Sequence, residues 1–272
     1  MRKIFFFFCL CFCKGLLTAQ TLRDQLASPF SLLQAYSTVH ADVFSFAENQ
    51  GAMPAMKQFS AGLSAERRFF INELTLYRSA LLLPTSSGNF GIIANYFGTS
   101  EYNESSISVA YGRRLGKIDL GLQFNDYLLH ASTYGTASSI NCELGFIIHM
   151  TEKFQTGMHV YNPTRSVLGK YREERLPLAI SAGLGYDASP VFYLGCRLEK
   201  SEGLPLNVDA GFHYSFSERI SVQLALSSAS SSFYLGVLLR MKDFLIGFSA
   251  GIHPQLGTSP GLLFLYQKPA LP

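Results

Sequence analysis

Between Leu206 and Leu226 the chain runs two apolar/polar alternations back to back, with Ser217, Glu218 and Arg219 between them. On the first run Leu206, Val208, Ala210, Phe212, Tyr214 and Phe216 share one face, and Asn207, Asp209, Gly211, His213 and Ser215 share the other. On the second, Ile220, Val222, Leu224 and Leu226 oppose Ser221, Gln223, Ala225 and Ser227. A period of two is the signature of a strand, because successive side chains point to opposite faces of a sheet. The pair therefore predicts a β-hairpin with one wholly apolar face, and pairs like it recur down most of the chain.

Such a hairpin suits a soluble sandwich as well as a membrane barrel, and the N-terminus separates the two. Arg2 and Lys3 precede a nearly unbroken apolar run over residues 4–12, and Ala19 offers a small residue at a cleavage position. This pattern predicts a secretory signal peptide over residues 1–19. No later stretch reaches the roughly 20 uninterrupted apolar residues that a spanning helix needs. The sequence is 48% hydrophobic, 14% aromatic and only 15% charged, which fits strands that meet lipid on one face.

A net charge of +3 is too thin and too dispersed for nucleic-acid binding, and the one dense charged stretch, residues 170–175, mixes both signs. Of five cysteines, Cys9, Cys11 and Cys13 fall in the expected signal, leaving Cys142 and Cys196 inside strands, where free thiols are expected.

Residues 20–56 alternate weakly, with a helix-permissive run over 31–46, and are read as an N-terminal extension. Its polar cluster of Asp42, Asn49, Gln50 and Gly51 suits either a plug lining a lumen or a strap outside it. From residue 57 to the C-terminus, strand candidates recur every ~15 residues, close to the spacing of tilted spanning strands. They cover 57–66, 73–83, 88–98, 104–113, 117–129, 136–150, 153–161, 176–187, 191–199, the two of the opening hairpin, 233–240, 243–252 and 258–267. Short connections at 115–117, 188–190 and 241–243 allow only antiparallel neighbours. The expected fold is all-β: an up-and-down transmembrane barrel of about fourteen strands, an even number as in bacterial single-chain barrels. The polar phase is mostly Ser, Gly, Ala, Gln and Asn, which suits a narrow lumen partly filled by the N-terminal segment or by an apolar ligand.

Several stretches carry a resemblance: residues 48–52 (Glu-Asn-Gln-Gly-Ala), Tyr102-Asn103-Glu104 followed by Ala110-Tyr111-Gly112-Arg113, Arg175-Leu176-Pro177 leading to Gly183-Leu184-Gly185-Tyr186, and residues 253–257 (His-Pro-Gln-Leu-Gly). In order and spacing they resemble the PorV/PorQ-like group of outer-membrane barrels. That group's better-known members serve the type IX secretion system, and its fold is similar to that of the long-chain fatty-acid transporters. The family's Asn-Pro-Ala-like element stands here as Asn49-Gln50-Gly51-Ala52, without its proline. The resemblance implies a place in the bacterial outer membrane and a role as accessory of protein secretion or surface attachment.

Asp119, Gln123 and Asn125 alternate with Ile118, Leu120, Leu122 and Phe124, so they are expected to face the lumen. With Asn49 and Gln50 they are candidates for a polar constriction touching a ligand or plug. Arg172, Glu173, Glu174 and Arg175, in the longest connection, are candidates for partner contact. The histidines lack metal-ligand spacing, no nucleophile motif or phosphate loop is present, and no cofactor or enzymatic activity is expected. Expected partners are outer-membrane lipid and either secretion proteins or an apolar ligand. A transporter or channel for hydrophobic small molecules such as fatty acids is the alternative function. A soluble sandwich is disfavoured because its outward apolar faces would need burying twice.

Overall fold

The computed structural model describes residues 34–169, 174–229 and 232–267. The expected signal peptide, Arg172 and Glu173 lie outside them. Strands β1 (Ser60–Arg67), β2 (Thr75–Thr85), β3 (Gly88–Gly98), β4 (Tyr102–Leu115), β5 (Ile118–Ala131), β6 (Gly135–His149) and β7 (Phe154–Tyr161) form one half of a closed sheet. The other half comprises β10 (Ala179–Ser189), β11 (Phe192–Ser201), β12 (Asn207–Ser215), β13 (Ile220–Ser227), β14 (Ser232–Met241), β15 (Phe244–His253) and β16 (Gly257–Gln267). Every strand pairs antiparallel with its sequence neighbour, β7 with β10, and β1 closes on β16 from Ser60↔Gln267 to Glu66↔Gly261. The result is a fourteen-stranded up-and-down barrel, and closure leaves no unpaired sheet edge.

The hairpin that opens the sequence argument is β12–β13, with Phe212 opposite Leu224 and Tyr214 opposite Val222. Its apolar phase points outward, as do Leu81, Ile92, Val109, Phe124, Leu184, Leu194, Leu235 and Phe248 on other strands, all exposed. Exposed side chains of this kind all round a sheet leave only hydrocarbon as their solvent. At one end the connections are tight (86–87, 116–117, 190–191, 242–243), while at the other they are longer (68–74, 162–178, 202–206). Short turns mark the periplasmic end of such barrels and long loops the extracellular end. Aromatic contacts between Phe244 and both Phe264 and Tyr266 fall at the short-turn end.

One expectation needs correction, and one connection proves to be structured. The helix-permissive stretch 31–46 forms no α-helix among the described residues. It holds 3-10 turns at Gln34–Tyr36 and Ser45–Ala47, followed by a third at Gln50–Ala55. The reason is packing, since each turn must present side chains to a different part of the surrounding wall. The long connection 162–178 is also more than a solvated loop. Val167–Leu168 (β8) pairs with Glu174–Arg175 (β9), and Leu168 and Leu176 are buried against Tyr127. β7 pairs with β6 only from Glu143 to His149, so the upper part of β6 needs other partners. Asn162 N–H donates to the Cys142 carbonyl and Gly169 N–H to that of Ser138, supplying two of them.

Candidate functional site in the filled lumen

Residues 34–56 lie inside the barrel, and the wall is shaped to admit them. Inward-facing glycines line their course. A Cβ at Gly121 would collide with the Gln50 backbone, and one at Gly183 would collide with the Tyr36 ring. Phe46 and Met53 are fully buried, in one apolar cluster with Leu82, Ile93, Leu238, Leu263 and Leu265. The segment turns back within the lumen, because Ser37 and Met56 are both tied to the periplasmic end. Ser37 Oγ donates to Asp187 Oδ1 at 2.6 Å, and Asn89 Nδ2 donates to the carbonyls of Met53 (2.5 Å) and Met56 (2.8 Å).

At its deepest point the segment presents Glu48, Asn49 and Gln50, each 5% exposed or less. Asn49 caps the third turn by accepting from Gly51 N–H at 2.9 Å, while its amide donates to the carbonyls of Phe146 (3.3 Å) and Met158 (3.1 Å) on β6 and β7. Gln50 Nε2 donates to Glu143 Oε2 at 2.9 Å, and His159 Nε2 lies 2.8 Å from the same oxygen. Asn125 Nδ2 donates to Glu143 Oε1 and to Asn141 Oδ1, each at 2.7 Å, and Gln123 Nε2 donates to Asn125 Oδ1 at 2.7 Å. Three of the five candidate lumen residues, Gln50, Gln123 and Asn125, thus meet in one amide and carboxylate network, while Asn49 bonds to backbone groups beside it.

Asp119 shares their phase but sits at the short-turn end of β5. It is clamped there by Arg114 Nε and Nη2, both at 2.6 Å, and by His149 Nε2 at 2.7 Å. Of the candidate partner-contact residues, Arg175 is exposed in β9, Glu174 is placed by its backbone pairing, and Arg172 and Glu173 lie outside the described residues.

A second clamp escaped sequence reasoning. Arg197 Nη1 donates to Glu48 Oε2 at 3.0 Å, and Arg197 Nε and Nη2 reach Asp209 Oδ2 at 3.1 and 2.8 Å, with all three residues 5% exposed or less. The readable signal was register, since Arg197 and Asp209 stand opposite each other on the inward phase of β11 and β12. Glu143 was legible in the same way, two residues from Asn141 on β6. At a buried site such pairs hold only when fully hydrogen-bonded. Asp42, near the segment's entry, accepts from the N–H groups of Phe44 (2.8 Å) and Ser45 (3.1 Å), yet burial pushes its pKa up to about 6.

Above Ala47 and Glu48 remains a polar cavity of about 80 Å³, walled in part by Arg78, Asn95, Tyr127 and Tyr161. On the outside of β16–β1–β2–β3 lies a different recess, an apolar groove of about 480 Å³. Leu63, Tyr77, Tyr96, Leu262 and Phe264 stand around the small residues Ala65, Ser79 and Ala94.

No family model matches the chain, and no curated protein matches it in sequence. Solved structures do match in fold. The chain is similar to a CymD monoaromatic hydrocarbon channel at TM-score 0.57 and 10% identity, over 85% of this chain and 92% of that one. It is similar to a TodX monoaromatic hydrocarbon channel mutant at 0.56 and 8%, over 90% and 99%. A Pseudomonas aeruginosa FadL homologue matches at 0.54 and 11%, over 84% and 94%. The protein is a bacterial outer-membrane β-barrel. At these identities the likeness speaks for the fold, and what the barrel carries must be argued from its own residues.

Proposed function

We propose that the protein is a channel or transporter for small hydrophobic molecules. The observation that carries this reading is the apolar groove outside β16, β1, β2 and β3. At the level of Glu143 the lumen is packed with hydrogen-bonded amides and carboxylates, which would repel an apolar solute, whereas the groove presents leucine and aromatic side chains around a floor of alanine and serine. A hydrophobic molecule would be held there at the boundary between barrel and membrane. Two of the fold neighbours are monoaromatic hydrocarbon channels, which supports this class of solute.

The test is uptake of radiolabelled toluene and oleate by cells producing the protein, compared with cells producing an Ala94→Trp, Ser79→Phe variant whose groove is filled. Saturable uptake that the variant loses supports the reading. Uptake equal to that of cells lacking the protein sinks it.

The second reading is an accessory of type IX secretion or surface attachment, of the PorV/PorQ-like kind. What supports it is the resemblance of residues 48–52, 102–104, 110–113, 175–177, 183–186 and 253–257. The first of these stretches forms the innermost contact of the lumen segment, and Arg175 stands exposed on the β8–β9 hairpin. Stoichiometric recovery of secretion proteins with the detergent-extracted barrel would favour it.

A further inference from the structure

A recess open to the lumen lies at the periplasmic mouth, between the N-terminal segment and strands β12 to β16, with a volume of about 220 Å³. Its lining is of two kinds. Leu238, Leu245, Leu263 and Leu265 give it an apolar patch, and Arg219, Arg240, His213, Ser215 and Ser221 adjoin that patch, Arg240 standing directly beside Leu245 and Ser221 beside Leu238 across the strands. Arg240 is half-buried, and among the described residues neither it nor Arg219 has a carboxylate within ion-pair distance. The acids at the recess are otherwise placed, since Asp42 Oδ1 takes the N–H groups of Phe44 and Ser45 and Glu218 is exposed on the β12–β13 turn. His213 is committed to Gln223 and Ser215 at 3.1 and 3.2 Å, and its ring lies against that of His40, tilted by 35° with centroids 4.3 Å apart.

A half-buried guanidinium with no carboxylate beside it among the described residues, next to a leucine patch, is a complementary surface for an anion with an apolar body. Size narrows the class, because a cavity of about 150 Å³ holds benzene in a protein interior. We infer that the periplasmic recess is a binding site for a small organic monocarboxylate with a single ring or short chain, its carboxylate on Arg240 and its apolar body against Leu238 and Leu263. This site is separate from the groove in the outer wall, so it stands whether or not the barrel carries hydrophobic molecules. Arg219, on the exposed turn, adds positive potential at the entrance.

Calorimetric titration of the full-length, detergent-purified protein with benzoate tests the site, with benzyl alcohol as the uncharged probe of the same shape. Benzoate is expected to bind and benzyl alcohol to bind at least tenfold more weakly. Arg240→Gln is expected to lower benzoate affinity by about tenfold to a hundredfold, the range for a hydrogen bond to a charged group. Ser221→Phe, which leaves every charge in place but fills the recess, is expected to abolish binding. Asp42→Asn, which removes a negative charge from the rim, is expected to raise affinity. Heat-modifiable migration on gels verifies that each variant is a folded barrel. Equal affinity for the two probes, absence of benzoate binding, or unchanged binding in folded Arg240→Gln or Ser221→Phe overturns the inference.

Discussion

At the scale of single residues the lumen is governed by a few buried charges. Replacing Arg197 with Met would leave Glu48 and Asp209 buried without their shared cation, a change that costs about 3–5 kcal/mol. We expect folded Arg197→Met barrels to lose heat resistance on gels. Glu48→Gln, which keeps an oxygen for Arg197, should do so far less. Asp42 predicts a pH dependence of definite sign. Its folded pKa, about 6, lies above the ordinary value of 3.8, so the folded segment holds the proton more tightly than the unfolded one does. Docking of residues 42–47 is therefore favoured below pH 4 and weakens as pH rises from about 4 to 6, with no further loss from this group above that. Hydrogen exchange at Phe44 and Ser45 should be faster at pH 7.5 than at pH 5 after correction for intrinsic rates, and Asp42→Asn should flatten the difference.

At the scale of elements, the lumen segment and the β8–β9 hairpin are the parts packed against the inner wall without belonging to it. Deleting residues 34–56 removes Phe46, Met53 and the Glu48 to Gln50 contacts while leaving every strand intact. Conductance across planar bilayers should rise severalfold, and an unchanged conductance would mean that the wall itself closes the pore. Leu176→Asp puts a charge where the side chain is fully buried against Tyr127 and should release the hairpin, read as protease cleavage near residue 175 on intact cells. The spanning strands were legible because each alternation of β3, β12 or β13 reports its own facing. The hairpin and the course of residues 34–56 were not. Their side chains, such as Leu168 and Tyr36, are sorted by contacts with distant strands, and nothing local to the sequence records which wall a 3-10 turn will meet. Gln123 and Asn125 could be assigned to the interior by their phase, whereas Asn49 and Gln50 suited a plug or an outside strap equally, and that Gln123, Asn125 and Gln50 share Glu143 depends on register across β5, β6 and the segment.

For the molecule as a whole, the two faces of the sheet are specified by opposite chemistry. Val109, exposed on the outside of β4, should cost about 2–4 kcal/mol when changed to Arg if it stands near mid-membrane, measurable as a lower denaturant midpoint for the refolded barrel in lipid. The inner face behaves instead like the interior of a water-soluble protein, packed and hydrogen-bonded around residues 34–56. This arrangement bears on assembly. The closing seam joins β1 to β16, near opposite ends of the chain, and the lumen segment is continuous with β1. Sheet residues as distant as Asn89 and Arg197 grip that segment, so the ring must form around its own leader or thread it in later past a closed wall. Forming around it is the shorter path: the strands, whose number and stagger set the bore, close over a part of the chain already in place, as staves close over a cask's contents.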